Sequence, residues 1–141
     1  MAPAGSFESL AAALQGGADS VYFGVGKLNM RSRATANFSE EDLPEIVARC
    51  HEAGAKAYLT LNIIVYDDEL EAVHSLCRAA RKARVDAVIA SDLAVITYAR
   101  SIGLEVHMSV QANVCNMASV RFYAQYADVV VLARELTLAQ I

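Results

Sequence analysis

The chain has 141 residues, 55% of them hydrophobic and 20% charged, which is enough apolar content for a buried core and excludes a disordered chain. Its 12 basic and 16 acidic residues leave a net charge of −4, which argues against a nucleic-acid-binding surface within this segment. No apolar run has the length that spans a membrane, and the amino terminus lacks the basic-then-apolar order of a secretory signal.

In chain order, Met1-Ala2-Pro3-Ala4-Gly5 reads as a loop with little more than the stub of a strand. A helix follows on the stripe Phe7, Leu10, Ala11 and Leu14, with Ser6 as N-cap and Gly16-Gly17 as its stop. The apolar run Ala18–Gly24 is a strand, leading into a polar loop that holds Asn29 and Arg31. A second helix begins at Ser39, whose Asp42 makes a short-acid capping box, and carries Leu43, Ile46, Val47 and Cys50 up to Gly54. Strand Ala55–Leu61 ends at Asn62. A third helix, on Leu70, Val73, Leu76, Cys77 and Ala80, opens with Asp67-Asp68-Glu69 at the positive end of its dipole. Its basic stretch Arg78–Arg84 reads as a solvated face. Strand Asp86–Ala90 ends at Ser91-Asp92, and a helix spans Leu93–Ile102 up to Gly103. Strand Leu104–Val110 leads to Gln111 and Asn113, a fifth helix covers Asn116–Tyr126, and strand Asp128–Ala133 stops at Arg134-Glu135. Leu136–Ile141 reads as the opening turn of a sixth helix.

A weak repeat marks each junction from helix to strand: a small residue or Gly, then a charge, then an apolar strand. It recurs at Gly17-Ala18-Asp19, Gly54-Ala55-Lys56, Arg84-Val85-Asp86, Gly103-Leu104-Glu105 and Tyr126-Ala127-Asp128. Repeated βα units predict an α/β fold with a parallel sheet, read as one domain over residues 1–141. Two architectures remain open: part of a (β/α)8 barrel, or a five-stranded doubly wound sheet. A full barrel needs roughly 200 to 250 residues, so the barrel reading makes this segment truncated at both ends. Its unpaired sheet edges would then favour self-association.

In either architecture, ligands bind at the carboxyl ends of the strands. The candidate substrate-binding residues are therefore Asn29, Arg31, Asn62, Ser109, Gln111 and Asn113, with Arg134 and Glu135 as candidate catalytic residues. Arg134 can grip a carboxylate or phosphate with its planar fork, and Glu135 can act as a base or orient the arginine; a salt bridge tying the rim together is the alternative. Along Leu104–Gln111 the pattern alternates, with His107, Ser109 and Gln111 opposite Val106, Met108 and Val110. Buried polar groups on such a strand must bind a ligand or each other, and His107, lying deeper, reads as a satisfied core histidine. Ser91-Asp92 reads first as a helix cap. The amides at Gly5-Ser6 could meet an anion, although plain capping is simpler. Cys50, Cys77 and Cys115 are odd in number and far apart, so neither a disulfide framework nor a CxxC metal site is visible, and a reducing cytoplasm is the expected location. His51 and His74 lack ligand spacing, and no GxSxG, HExxH or Walker motif occurs, so no metal is expected in this chain.

The strings APAGSFESL (Ala2–Leu10), GGADSVYFG (Gly16–Gly24), LNMRSRATANF (Leu28–Phe38), YLTLNII (Tyr58–Ile64), IASDLAVI (Ile89–Ile96), SVQANVCN (Ser109–Asn116) and VVLARELTL (Val130–Leu138) together resemble the N-terminal region of the collagenase-like peptidase family, U32. The resemblance covers essentially the whole chain. It implies a TIM-barrel-like N-terminal domain, which favours the partial barrel. It also implies a parent enzyme that is a peptidase or protease, or one acting in hydroxylation of RNA or of ubiquinone precursors, with a small-molecule, peptide or RNA substrate. Several members hold an iron–sulfur cluster through four downstream cysteines, none of which lies in this sequence, so no cofactor is expected within the chain itself. The isolated segment is expected to be inactive. The alternatives to an enzyme segment are a non-catalytic, self-associating fragment and a small-molecule binding module.

Overall fold

A computed structural model describes residues 1–26, 28 and 38–141. Among these, six strands pair in one parallel sheet in unbroken chain order: β1 (Ala2–Ala4), β2 (Ser20–Phe23), β3 (Lys56–Leu61), β4 (Ala87–Ala90), β5 (Val106–Met108) and β6 (Val129–Val130). Between them lie α1 (Phe7–Gln15), α2 (Leu43–Glu52), α3 (Leu70–Ala83), α4 (Leu93–Ser101) and α5 (Met117–Tyr123). A strand order that never reverses has no topological switch point, which overturns the doubly wound alternative. Right-handed crossovers in a sequential sheet place every helix on the same face, the winding of a (β/α) barrel. The stub at the amino terminus is the three-residue β1, whose Ala2 pairs with Val21.

Local chemistry accounts for most helix starts. Ser6 and Ser9 cap α1 reciprocally, Asp92 accepts from the Ala94 amide at 2.8 Å, and Asn116 accepts from the Ser119 amide at 2.9 Å. The second helix departs from expectation. Ser39 and Asp42 form their box, but the turn Glu40–Asp42 is 3-10 and α2 begins only at Leu43. Pro44 has no N–H to give the Glu40 carbonyl, so the α ladder cannot start there.

Helix ends follow one pattern four times. The amides of Ala18, Ala55, Val85 and Leu104 reach back five residues to the carbonyls of Ala13, Cys50, Ala80 and Ala99. The residue before each of these amides is left-handed: Gly17, Gly54, Arg84 and Gly103, with φ from 63° to 75°. This is the Schellman arrangement, and it explains the junction repeat seen in the sequence. The fifth junction lacks it. There Ala127 donates to Tyr123 and α5 ends three residues before the expected Tyr126. The expected sixth helix is a single 3-10 turn, Leu138–Gln140, capped by Thr137.

The outward sheet face is the core. Val21, Phe23, Ala57, Leu59, Leu61, Val88, Ala90, Val106 and Met108 are nearly inaccessible and pack with Leu10, Ile46, Cys50, Val73, Cys77, Val95 and Ile96 from the helices. Each buried Leu, Ile or Phe contributes about 1.5–3 kcal/mol of transfer free energy. The inner face, with Tyr22, Tyr58, Thr60, Ile89 and His107, is only half-buried. No helix among the described residues is long and apolar enough to cross a membrane. The basic stretch is solvated as expected: Arg78 binds Glu71 and Tyr98, and Arg81 caps the Ile102 carbonyl.

Candidate functional site

The strands point the same way, so the residues that follow them collect at one rim. From β3, Thr60 turns inward and donates its hydroxyl to the Phe23 carbonyl at 2.8 Å; Asn62 follows just past the strand end. After β4, Asp92 accepts from the amides of Ala94 and Val65, so its cap reading holds and it also anchors the loop after β3.

The segment after β5 differs from the expected strand. Pairing stops at Met108, and Ser109 donates its amide to the Ala90 carbonyl at 2.7 Å. The Ser109 hydroxyl then accepts from the Gln111 amide at 3.3 Å, capping a 3-10 turn over Val110–Ala112. Serine side chains offer the backbone such an alternative to a sheet ladder. Gln111 therefore sits in a turn rather than on the strand.

Asn62 donates from Nδ2 to the Ser109 hydroxyl at 3.4 Å. Asn62, Ser109, Gln111 and Arg134 line one cavity of about 310 Å³, whose walls include Tyr22, Thr60, Ile89, Val110 and Val131. Ser109 is 2% exposed and is the buried polar residue among the described residues. A neighbouring hollow of about 300 Å³ is lined by Ile63, Ile64, Ser91 and Asp92, and Asn62 and Gln111 form the partition between the two.

Other candidates fall elsewhere. Glu135 and Asn113 are exposed and do not line the cavity; Asn113 is left-handed, with φ 50°, and closes the 3-10 turn. Arg134 and Glu135 form no ion pair among the described residues, so the proposed rim salt bridge is not made. Asn29 and Arg31 lie outside the described residues. His107 is satisfied, with Nε2 2.8 Å from Glu105 Oε1 and its ring edge-on to Tyr58. The Gly5 and Ser6 amides both donate to the Ser9 hydroxyl at 3.0 Å, which leaves capping as their role. Tyr22, between Val21 and Phe23 on β2, also lines the cavity, because strand alternation turns it to the inner face.

A larger hollow of about 660 Å³ runs along α2 against the end of α3, between Glu40, Glu41, Lys82 and Arg84. It lies on the outer helix layer. Barrel folds use the carboxyl ends of their strands for ligands, so the smaller inner cavity is the candidate site.

The cysteines do not form a metal centre. Burial pushes the Cys50 thiol up to about 11, with the charge of Asp86 adding to the effect, and burial likewise pushes Cys77 to about 11 against the pull of Arg78. Cys115 is exposed, and among the described residues no group of His, Cys, Asp and Glu can hold a metal ion. These residues do not fit an iron–sulfur cluster.

Comparison with known proteins agrees with the fold and names the family. The chain is 52% identical over its whole length to a collagenase of Porphyromonas gingivalis, covering 34% of that protein. It is 35% identical, again over its whole length, to tRNA hydroxylation protein P1 of Bacillus subtilis, with the same 34% coverage. The chain thus spans about a third of the length of the curated relatives it matches. Among solved structures, the U32 peptidase Mk0906 superposes with a TM-score of 0.73 at 18% identity, over 93% of this chain and 56% of the other. Deoxyribose phosphate aldolase from Aeropyrum pernix superposes at 0.67 and 18% identity, over 87% of this chain and 54% of that one. Both show a barrel-like α/β fold. The family model described as peptidase family U32 matches residues 5–141, and the chain belongs to that family.

Proposed function

We propose that this chain supplies one wall of the substrate pocket of a collagenase-like peptidase. The observation that carries the reading is convergence: Asn62, Ser109, Gln111 and Arg134, from three separate loops, line a single cavity at the carboxyl ends of parallel strands. The substrate class is argued from the 52% identity to a protein named collagenase. In this reading Asn62 and Gln111 offer side-chain amides to a peptide backbone, and Arg134 supplies the positive charge at the mouth. Glu135 is not assigned a step, because it stands outside the cavity.

A second reading has support of its own. The match of the whole chain to about a third of a tRNA hydroxylation protein favours RNA modification as the activity of the longer protein. Any iron–sulfur cluster used there would be held by cysteines outside this chain. Action on RNA also supports a cytoplasmic location. Alone, the segment is proposed to be inactive and to self-associate through the open edges of β1 and β6.

The test uses the longer protein that carries this chain, assayed for cleavage of collagen-derived peptides. Asn62→Ala and Gln111→Ala should each raise KM several-fold without lowering the melting temperature by more than a few degrees. Unchanged kinetics in both variants would overturn the pocket assignment, and hydroxylated RNA without peptide cleavage would favour the second reading.

A further inference from the structure

We propose that the inner cavity binds its ligand through a carboxylate, with Arg134 as counter-ion and the Ser109 hydroxyl as a directed donor. This rests on the reading of that cavity as the ligand site. The chain carries 16 acidic residues and a net charge of −4, yet among the described residues no Asp or Glu lines this cavity. The outer hollow along α2, by contrast, carries both Glu40 and Glu41. Arg134 is the charged side chain among the inner cavity's lining residues, and no acidic partner neutralises it among the described residues. A guanidinium at the mouth of a cavity with no carboxylate among its described lining residues selects an anion.

Two of the hydroxyls lining the cavity, those of Ser109 and Thr60, are arranged in opposite senses. Ser109 Oγ accepts twice, from Asn62 Nδ2 at 3.4 Å and from the Gln111 amide at 3.3 Å. A hydroxyl has two acceptor sites and one proton. With both lone pairs engaged, the proton is what Ser109 has to offer, and among the described residues no acceptor receives it. Thr60 is arranged the opposite way: its proton goes to the Phe23 carbonyl, so it presents lone pairs. Of these groups, Ser109 and Arg134 present donors past the strand ends, while Thr60, on the strand itself, presents an acceptor. A carboxylate fits the rim, where one hydroxyl and one planar fork supply the donors; Ile89, Val110 and Val131 suit an aliphatic body behind it.

The test titrates hexanoate and its uncharged isostere hexanamide into the full-length protein, following amide shifts by NMR, with inorganic phosphate as a third probe. Hexanoate should bind at least tenfold more tightly than hexanamide, and phosphate more weakly than hexanoate. Arg134→Gln should erase the preference for the acid. Asn62→Asp adds a negative charge beside Ser109 and gives its proton an internal acceptor, so it should weaken hexanoate far more than Asn62→Ala does. Ser109→Ala should lower hexanoate affinity several-fold, while Lys82→Gln, in the outer hollow, should change nothing. Equal binding of acid and amide at the cavity, or a preference that survives Arg134→Gln, would overturn the carboxylate assignment and leave the cavity as a ligand site. If neither probe shifted the cavity residues, both readings would fall.

Discussion

Arg84 takes the left-handed conformation, φ 63°, that Gly54 takes with φ 72° at the same point of the preceding helix end. Both are followed by an amide that reaches back five residues, from Ala55 to Cys50 and from Val85 to Ala80. A side chain at such a position costs about 1–2 kcal/mol that glycine avoids. Part of that gain is returned through the greater freedom of glycine in the unfolded chain. Arg84→Gly is expected to stabilise the protein by up to about 1 kcal/mol, read as a higher urea midpoint. A lower midpoint would mean that contacts of the arginine side chain outweigh the backbone strain.

At the amino ends of the strands, carboxylates tie neighbours together. Asp128 Oδ2 accepts from the Val106 amide at 2.9 Å and binds Arg100, and Asp86 Oδ2 accepts from the Ala57 amide at 2.7 Å beside His51. Burial alone would raise the Asp128 carboxyl, but the Val106 amide, Arg100 and the charge of His107 together outweigh it and hold it below the usual value. Because its folded value is depressed, its stabilisation is present above the ordinary aspartate value of about 3.9 and lost as pH falls through the folded one. Its side chain is 41% exposed, so the ion pair itself contributes little. Asp128→Ala should cost about 1 kcal/mol at neutral pH, mainly from the backbone hydrogen bond. That gap should narrow below about pH 4, as followed by chemical unfolding across pH.

The three cysteines should separate by reactivity. Cys50 and Cys77 are buried, with thiols raised to about 11, whereas Cys115 is exposed. Alkylation at pH 8 under native conditions should modify Cys115 alone, and denaturation should release the other two. Intact-protein and peptide mass spectrometry reads this directly; fast native labelling of Cys77 would show that the packing of α3 on the sheet opens readily.

Much of the fold is legible in the residues, because apolar spacing and caps act locally. Ser6, Asp92 and the stripe of α3 mark their helices through local signals that the sequence carries directly. Barrel winding follows from strand order, which short periodic patterns do not encode, and the junction repeat alone fitted either architecture. The site is legible in part. Asn62, Ser109, Gln111 and Arg134 meet because strand ends meet, whereas Glu135 and Asn113 share the same sequence neighbourhoods and face away. The turn at Ser109 was hidden by an alternating pattern that continued through it, since the competing hydrogen bond to Gln111 depends on a side-chain rotamer.

Ligand is expected to bind inside the sheet's rim and not along the outer helices. Hydrogen-exchange mass spectrometry on the full-length protein, with and without a slowly turned-over collagen-derived peptide, tests it most directly. Protection is expected in residues 60–66, 108–113 and 130–135. Protection confined to residues 40–51 and 79–84, the lining of the outer hollow, would contradict it.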